Sequence, residues 1–262
     1  MNTFLSSIPL WRIESGFATP EDNVIFDREP TDWADLQNLV AQMFRELGCE
    51  VAIGQQADLV RGKKEIDVLI RDRGTTPPSQ YLCECKFWSR PIPQEVVHSF
   101  RTVVADYGAH RGFVVSRAGF QAGAREAVQK TNIDLVTFEE LQAIFLDRWR
   151  VSLGKYFMPY ADRLFPYWDF PGKQPKIKWT QWHVEKQHLL TEAYLPLVNL
   201  GPMLERRGFQ WKLPMTLPHL DEQRNQIGEI TLSTERQVYD FINVKKDVAL
   251  RDFRVIYGEI EA

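Results

Sequence analysis

The order of hydrophobic periodicities between Thr31 and Glu140 leaves this 262-residue chain little freedom in how that stretch folds. In DWADLQNLVAQMFRELG the apolar residues Trp33, Leu36, Leu39, Val40, Met43, Phe44 and Leu47 recur every three or four positions, the period of an amphipathic helix. Thr31 or Asp32 can cap its start and Gly48 can end it. CEVAIG then reads as a short strand, and ADLVRGKKEIDVLIRD as a loop into a second strand, Glu65 to Ile70. The Pro- and Gly-dense RGTTPPSQ is a turn, and YLCECKF is a third strand. After Pro91 and Pro93, QEVVHSFRTVVADYG reads as a helix, RGFVVS as a strand, FQAGAREAVQK as a short helix and IDLVTF as a last strand. Thr137 and Glu140 then stand at capping-box spacing, opening another helix. Hairpin-linked strands followed by βαβ crossovers specify an α/β fold with a mixed sheet flanked by helices.

One strand carries an anomaly. In YLCECKF, Glu84 and Lys86 lie two residues apart and therefore on one face, roughly 6.6 Å from each other at about 3.3 Å per residue. Cys83 and Cys85 point the other way, as small core residues. The two charges are either a solvated pair on an edge strand or a chemical site. Asp67, between the apolar Ile66 and Val68 on the preceding strand, favours chemistry if the hairpin brings it beside Glu84. Two adjacent carboxylates repel unless one is protonated or a cation sits between them. Mg²⁺, which is commonly held by one or two carboxylates plus water and substrate phosphate, suits such a pair, with Mn²⁺ as a substitute. Lys86 would then stand where it can orient a water or stabilise developing negative charge.

These residues resemble the PD-(D/E)xK nucleases, and among them the Mrr-like restriction endonucleases. The motif stands as Asp67 in KKEIDVLI and Glu84-Cys85-Lys86 in LCECKF. The resemblance extends over residues 31–145: the opening helix with LGCEV, the helix after Pro93, GFVVS followed by GFQAGAREA, and IDLVTFEEL keep the family's running order. It implies a metal-dependent endonuclease cleaving DNA, with Asp67 and Glu84 as metal ligands, Lys86 as the third catalytic residue, and a role in defence against foreign DNA. Where the family often carries a metal-shell Glu on its first helix, this chain has Gln37, a supporting residue that can hold a metal-bound water. Lys63-Lys64-Glu65-Ile66 stands where a small residue usually precedes the aspartate. Asp58 and Glu65 are alternative carboxylates, and Gln94 is a candidate phosphate or water contact. Two other readings use the same residues: a nuclease fold that binds nucleic acid without turnover, and a nuclease acting on RNA.

The rest of the chain is less explicit. Residues 1–30 read as an N-terminal arm, 31–150 as the nuclease domain, and 151–262 as a smaller C-terminal domain of mixed α+β character serving recognition or regulation. In PGKQPKIKWTQWH, Lys173, Lys176 and Lys178 alternate with Trp179 and Trp182; this pattern suits either nucleic-acid contact or a connector whose tryptophans pack on a domain. A net charge of −3 argues against non-specific coating of nucleic acid, while leaving room for local basic patches. Three cysteines make no disulfide framework, and no apolar run reaches the ~18 residues of a membrane span. The expectation is a cytoplasmic protein, with a homo-oligomer attractive because cutting two strands needs two sites.

Overall fold

The computed structural model describes residues 24–60, 62–168, 172–200 and 211–261. Most of the expected N-terminal arm lies outside them. The first described residues dock on the core: Ile25 and Phe26 are buried, and both their amides donate to the buried Gln142 Oε1, at 3.0 and 2.8 Å.

Helix α1 (Trp33–Glu46) is capped by Asp32, whose carboxylate accepts the Asp35 amide at 2.8 Å. Gly48 follows it at φ +82°, a conformation only glycine adopts freely. Strands β1 (Glu50–Leu59), β2 (Gly62–Asp72) and β3 (Ser79–Lys86) form an antiparallel meander. Helix α2 (Gln94–Tyr107) and helix α3 (Ala122–Ala127) then cross to β4 (Arg111–Ser116) and β5 (Ile133–Thr137), which pair in parallel. The sheet order is β1-β2-β3-β4-β5, so sequence order and spatial order coincide. One face, carrying Val68, Ile70, Cys83, Cys85, Phe113 and Val115, packs with α1 and the long helix α4 (Phe138–Trp168). The other, carrying Leu69, Leu82 and Val114, packs with Phe100, Val103 and Val104 of α2. The three cysteines are buried and unpaired; burial, helped by nearby Asp72, pushes the Cys49 thiol up to about 11.

Two extents differ from the sequence expectation. The stretch read as a loop before Glu65 is paired strand: β1 and β2 stay in register out to Leu59 opposite Gly62. Its polar residues Gln56, Asp58, Lys63 and Glu65 are exposed, while Ala57 and Ile66 are buried with Leu69 and Leu82 in the α2-side core. A half-buried ribbon tolerates that composition, which is why it reads as a loop. Helix α4 likewise continues through Pro159 and Pro166 to Trp168, and the boundary expected at residue 150 falls inside it. Pro159 lies on the exposed side, where water can satisfy the carbonyl its missing N–H leaves free.

Beyond α4 come α5 (Gln181–Ala193), the short α6 (Leu195–Val198), the hairpin β6 (Met215–Leu220) with β7 (Gln226–Leu232), and α7 (Glu235–Ile256). Their apolar residues belong to the same buried cluster as α1 and α4; Leu190, Leu197, Leu217, Ile242 and Phe253 are among them.

Candidate active site

The site forms where β2 and β3 part company. Their ladder runs from Asp72 opposite Ser79 to Val68 opposite Cys83. Carried one residue further, that register sets Asp67 opposite Glu84. There the ladder ends and a side chain takes over: the Cys85 amide donates to Asp67 Oδ2 at 2.7 Å. The Asp67 carboxylate is thus fixed by the backbone of the strand that carries Glu84 and Lys86.

Asp67 and Glu84 are both only 9% exposed, so two carboxylates are held largely out of water side by side. Burial pushes the Asp67 carboxyl above its ordinary range and the Glu84 charge pushes it further, while the Cys85 amide, Lys86 and Lys64 pull it back. Lys86 Nζ lies 2.5 Å from Glu84 Oε1, with both side chains mostly buried. Lys86 is engaged with Glu84 and Lys64 acts on Asp67 only through its charge, so Asp67 has no cation in direct contact among the described residues. That lack, together with all-oxygen donors, fits a hard divalent cation such as Mg²⁺. No group of three or more His, Cys, Asp and Glu side chains stands ready as a cage among the described residues, so water and substrate phosphate would complete the shell.

Helix α1 packs on the face of the sheet that carries Cys85. The Trp33 ring N–H donates to the Cys85 carbonyl at 3.0 Å. Gln37 stands one turn along the same helix face. It is 5% exposed, and its side-chain nitrogen is buried without a hydrogen-bond partner among the described residues. Such a group carries the desolvation cost of an unmet donor, which a bound water or phosphate oxygen would relieve.

The remaining sequence candidates lie elsewhere. Asp58 and Glu65 are exposed further out on the ribbon, Asp58 paired with Lys63 at 3.2 Å and Glu65 accepting from Gln56 at 3.3 Å. Gln94 is exposed on the first turn of α2, its side-chain oxygen 2.9 Å from where a Cβ on Gly123 of α3 would stand. Lys173 pairs with Glu259 at 2.5 Å and its ammonium sits 4.7 Å from the Tyr167 ring centre. Trp179 packs edge-on to Tyr257 at 4.8 Å, so it serves as packing for its connector. Lys176 and Lys178 are exposed. Trp33 was legible only as a helix-face apolar residue and Lys64 only as part of the approach to Asp67; the Trp33 bond to Cys85 and the Lys64 charge near Asp67 follow from the three-dimensional path of α1 and β2.

Residues 29–145, a little under half of the chain, match the sequence profile of the family Mrr_cat, described as restriction endonuclease. The domain matched is the one that holds the five-stranded mixed sheet with helices on both faces. Two solved structures resemble the chain. A crystal structure of a protein of unknown function, AF1548, aligns over 87% of this chain and its own whole length, at 13% identity and a TM-score of 0.37. The MspJI restriction endonuclease in complex with a 27-mer oligonucleotide aligns over 44% of this chain and 28% of its own, at 19% identity and a TM-score of 0.28. No curated protein matches the chain.

Proposed function

We propose that this chain, whose residues 29–145 match the restriction endonuclease family Mrr_cat, is a divalent-metal-dependent endonuclease that hydrolyses phosphodiester bonds of DNA. The observation that carries the reading is the convergence of Asp67, Glu84 and Lys86 at the point where β2 leaves β3. Asp67 and Glu84 would hold the divalent ion, which when bound would supply Lewis-acid activation of water and neutralise charge on the scissile phosphate. The protein's own part is positional. The Cys85 amide aims Asp67, and Trp33 steadies the strand by holding the Cys85 carbonyl. Lys86 keeps Glu84 compensated in the free protein. With Glu84 given over to a cation, the Lys86 ammonium would be free to orient the attacking water or to bind a phosphate oxygen. Gln37, with its unmet amide nitrogen, supports a water of the metal shell.

DNA is the substrate that the restriction endonuclease description supports, and defence against foreign DNA inside the cytoplasm is the setting it suggests. The test is cleavage of supercoiled plasmid, single-stranded DNA and RNA by the purified protein in Mg²⁺ or Mn²⁺. Wild type is expected to nick or linearise the plasmid. Asp67→Ala and Lys86→Ala are each expected to cut at least about 10²-fold more slowly while far-UV circular dichroism shows the fold retained. Cleavage undiminished in both variants removes the assignment. Metal-independent binding without turnover moves the protein to the binding-module reading, and preference for RNA changes the substrate.

A further inference from the structure

The segments that follow β3 and β4 leave the sheet at its active-site end and are zipped together. The Arg117 amide donates to the Lys86 carbonyl at 3.1 Å, the Ile92 amide to the Gly119 carbonyl at 2.9 Å, and the Gln121 amide back to the Ile92 carbonyl at 3.0 Å. The resulting shelf begins at the catalytic lysine and carries three exposed arginines, Arg90, Arg117 and Arg125. Each guanidinium rests on an aromatic ring: Arg90 is 5.6 Å from the Trp88 centre, Arg117 4.6 Å from Phe87, and Arg125 5.8 Å from Phe120. Lys86 Nζ itself lies 6.0 Å from the same Trp88 ring.

These arginines contrast with those that stabilise the fold. Arg28, Arg73, Arg111, Arg148, Arg150, Arg224 and Arg236 each pair with a carboxylate. Arg90, Arg117 and Arg125 have no ion pair or side-chain hydrogen bond among the described residues. A guanidinium supported on a ring keeps its planar fork of N–H donors oriented with little further loss of freedom, the geometry that matches a phosphate. Three such forks beside a site for phosphodiester chemistry form a local basic patch on a chain of net charge −3.

We infer that this shelf is a sequence-independent clamp for the phosphate backbone of duplex DNA next to the scissile bond, with Arg90, Arg117 and Arg125 each contacting a phosphate. The inference rests on the nuclease reading for its placement beside the cut but not for its measurement. A duplex is favoured over a single strand because the rings already carry cations: Trp88 has two, Phe87 and Phe120 one each. Single-strand platforms instead offer open ring faces on which bases stack. Arginines aimed at phosphates carry no base readout, so sequence or modification specificity must come from other parts of the chain.

The experiment is salt-dependent binding of the full chain to a duplex oligonucleotide in EDTA, where no cutting occurs. Each lost phosphate contact lowers the slope of log K against log[salt] by about 0.9 for a duplex, or about 0.7 for a single strand. Single Arg→Gln substitutions at 90, 117 and 125 are each expected to lower the slope by about one unit, and the triple variant by about 2–3. Arg73→Gln and Arg111→Gln, whose guanidinium groups are occupied by Glu50 and Asp134, are expected to leave it unchanged. A triple variant that keeps the wild-type slope overturns the inference, as does equal loss in the controls. Binding of single strands or RNA in preference to the duplex also overturns it. Plasmid cleavage in Mg²⁺ is scored separately, so a protein that binds as described but never cuts would sink the nuclease reading and spare the clamp.

Discussion

At the scale of single residues, the site depends on side chains whose cost to the free protein is visible. Asp67 sits as a carboxylate pushed above its usual range by burial and by Glu84, and Gln37 hides an amide nitrogen that no group among the described residues receives. Such features persist where function requires them. Gln37→Leu separates the two roles of that residue. It removes an unsatisfied donor from a buried position, so the melting temperature is expected to hold or rise. If Gln37 supports a metal-bound water, cleavage falls by roughly 10–100-fold in the same variant. Calorimetry and a plasmid assay on one preparation give both numbers, and a variant that melts earlier yet cuts normally makes Gln37 a packing residue. The meeting of Asp67, Glu84 and Lys86 was readable from sequence, because strand alternation fixes which of Cys83, Glu84, Cys85 and Lys86 share a face and Asp67 interrupts an apolar run. Trp33 was not readable as a site residue. In sequence it is one more apolar position of an amphipathic helix, and only the path of α1 over β3 turns its N–H to the Cys85 carbonyl.

At the scale of elements, local signals located the starts of helices better than the extents of strands or long helices. The capping box at Thr137 and Glu140 forms in both directions: the Glu140 amide donates to Thr137 Oγ1 at 3.1 Å and the Thr137 amide to Glu140 Oε2 at 2.7 Å. Because α4 begins directly after β5, this cap fixes the angle at which the longest helix leaves the sheet. Thr137→Ala is expected to cost about 1 kcal/mol in urea unfolding, and Thr137→Ser close to nothing. Equal losses in both would assign the residue's value to its methyl packing instead. Strand β1 escaped sequence reading beyond Gly54 because a ribbon with one wet face alternates Gln, Asp and Lys with small apolar residues, much as a loop does. Helix α4 escaped because Pro159 and Pro166 are strong stop signals locally. Its inward residues Leu153, Phe157, Ala161 and Leu164 are buried against the rest of the molecule, and that packing overrides the stop.

At the scale of the whole molecule, the change in sequence texture near residue 150 is real, but it marks no gap in the core. Trp149 of α4 stacks edge-on to Tyr239 of α7 at 5.0 Å, and Arg150 holds Glu235 at the start of α7 at 2.7 Å. The strongest tie is Arg236 of α7, which grips Glu46 of α1 through two nitrogens at 3.0 and 2.7 Å. Arg236 also donates to the Ile25 carbonyl and lies over the Phe26 and Trp149 rings. A contact separated by 190 residues cannot be read from local pattern, so a boundary in composition was visible where the continuity of packing was not. Burial alone would push the Glu46 carboxyl up; the hydrogen bonds and charge of Arg236, with the Trp149 N–H, hold it below its ordinary 4.5. A depressed carboxylate contributes stability above its unfolded value and loses it as pH falls through the folded one. Arg236→Ala should therefore destabilise the chain by roughly 1.5–3 kcal/mol at pH 7, because the half-buried Glu46 loses its guanidinium while keeping the Trp149 and Gln42 donors. The gap between variant and wild type should narrow as pH drops through and below 4.5, where Glu46 becomes neutral in both. Urea titrations at several pH values measure that gap directly. If α1 and α7 are coupled as the Glu46–Arg236 contact requires, tryptophan fluorescence and far-UV circular dichroism will report one shared transition in wild type. Two separated transitions would mean that residues 151–261 unfold independently of the sheet.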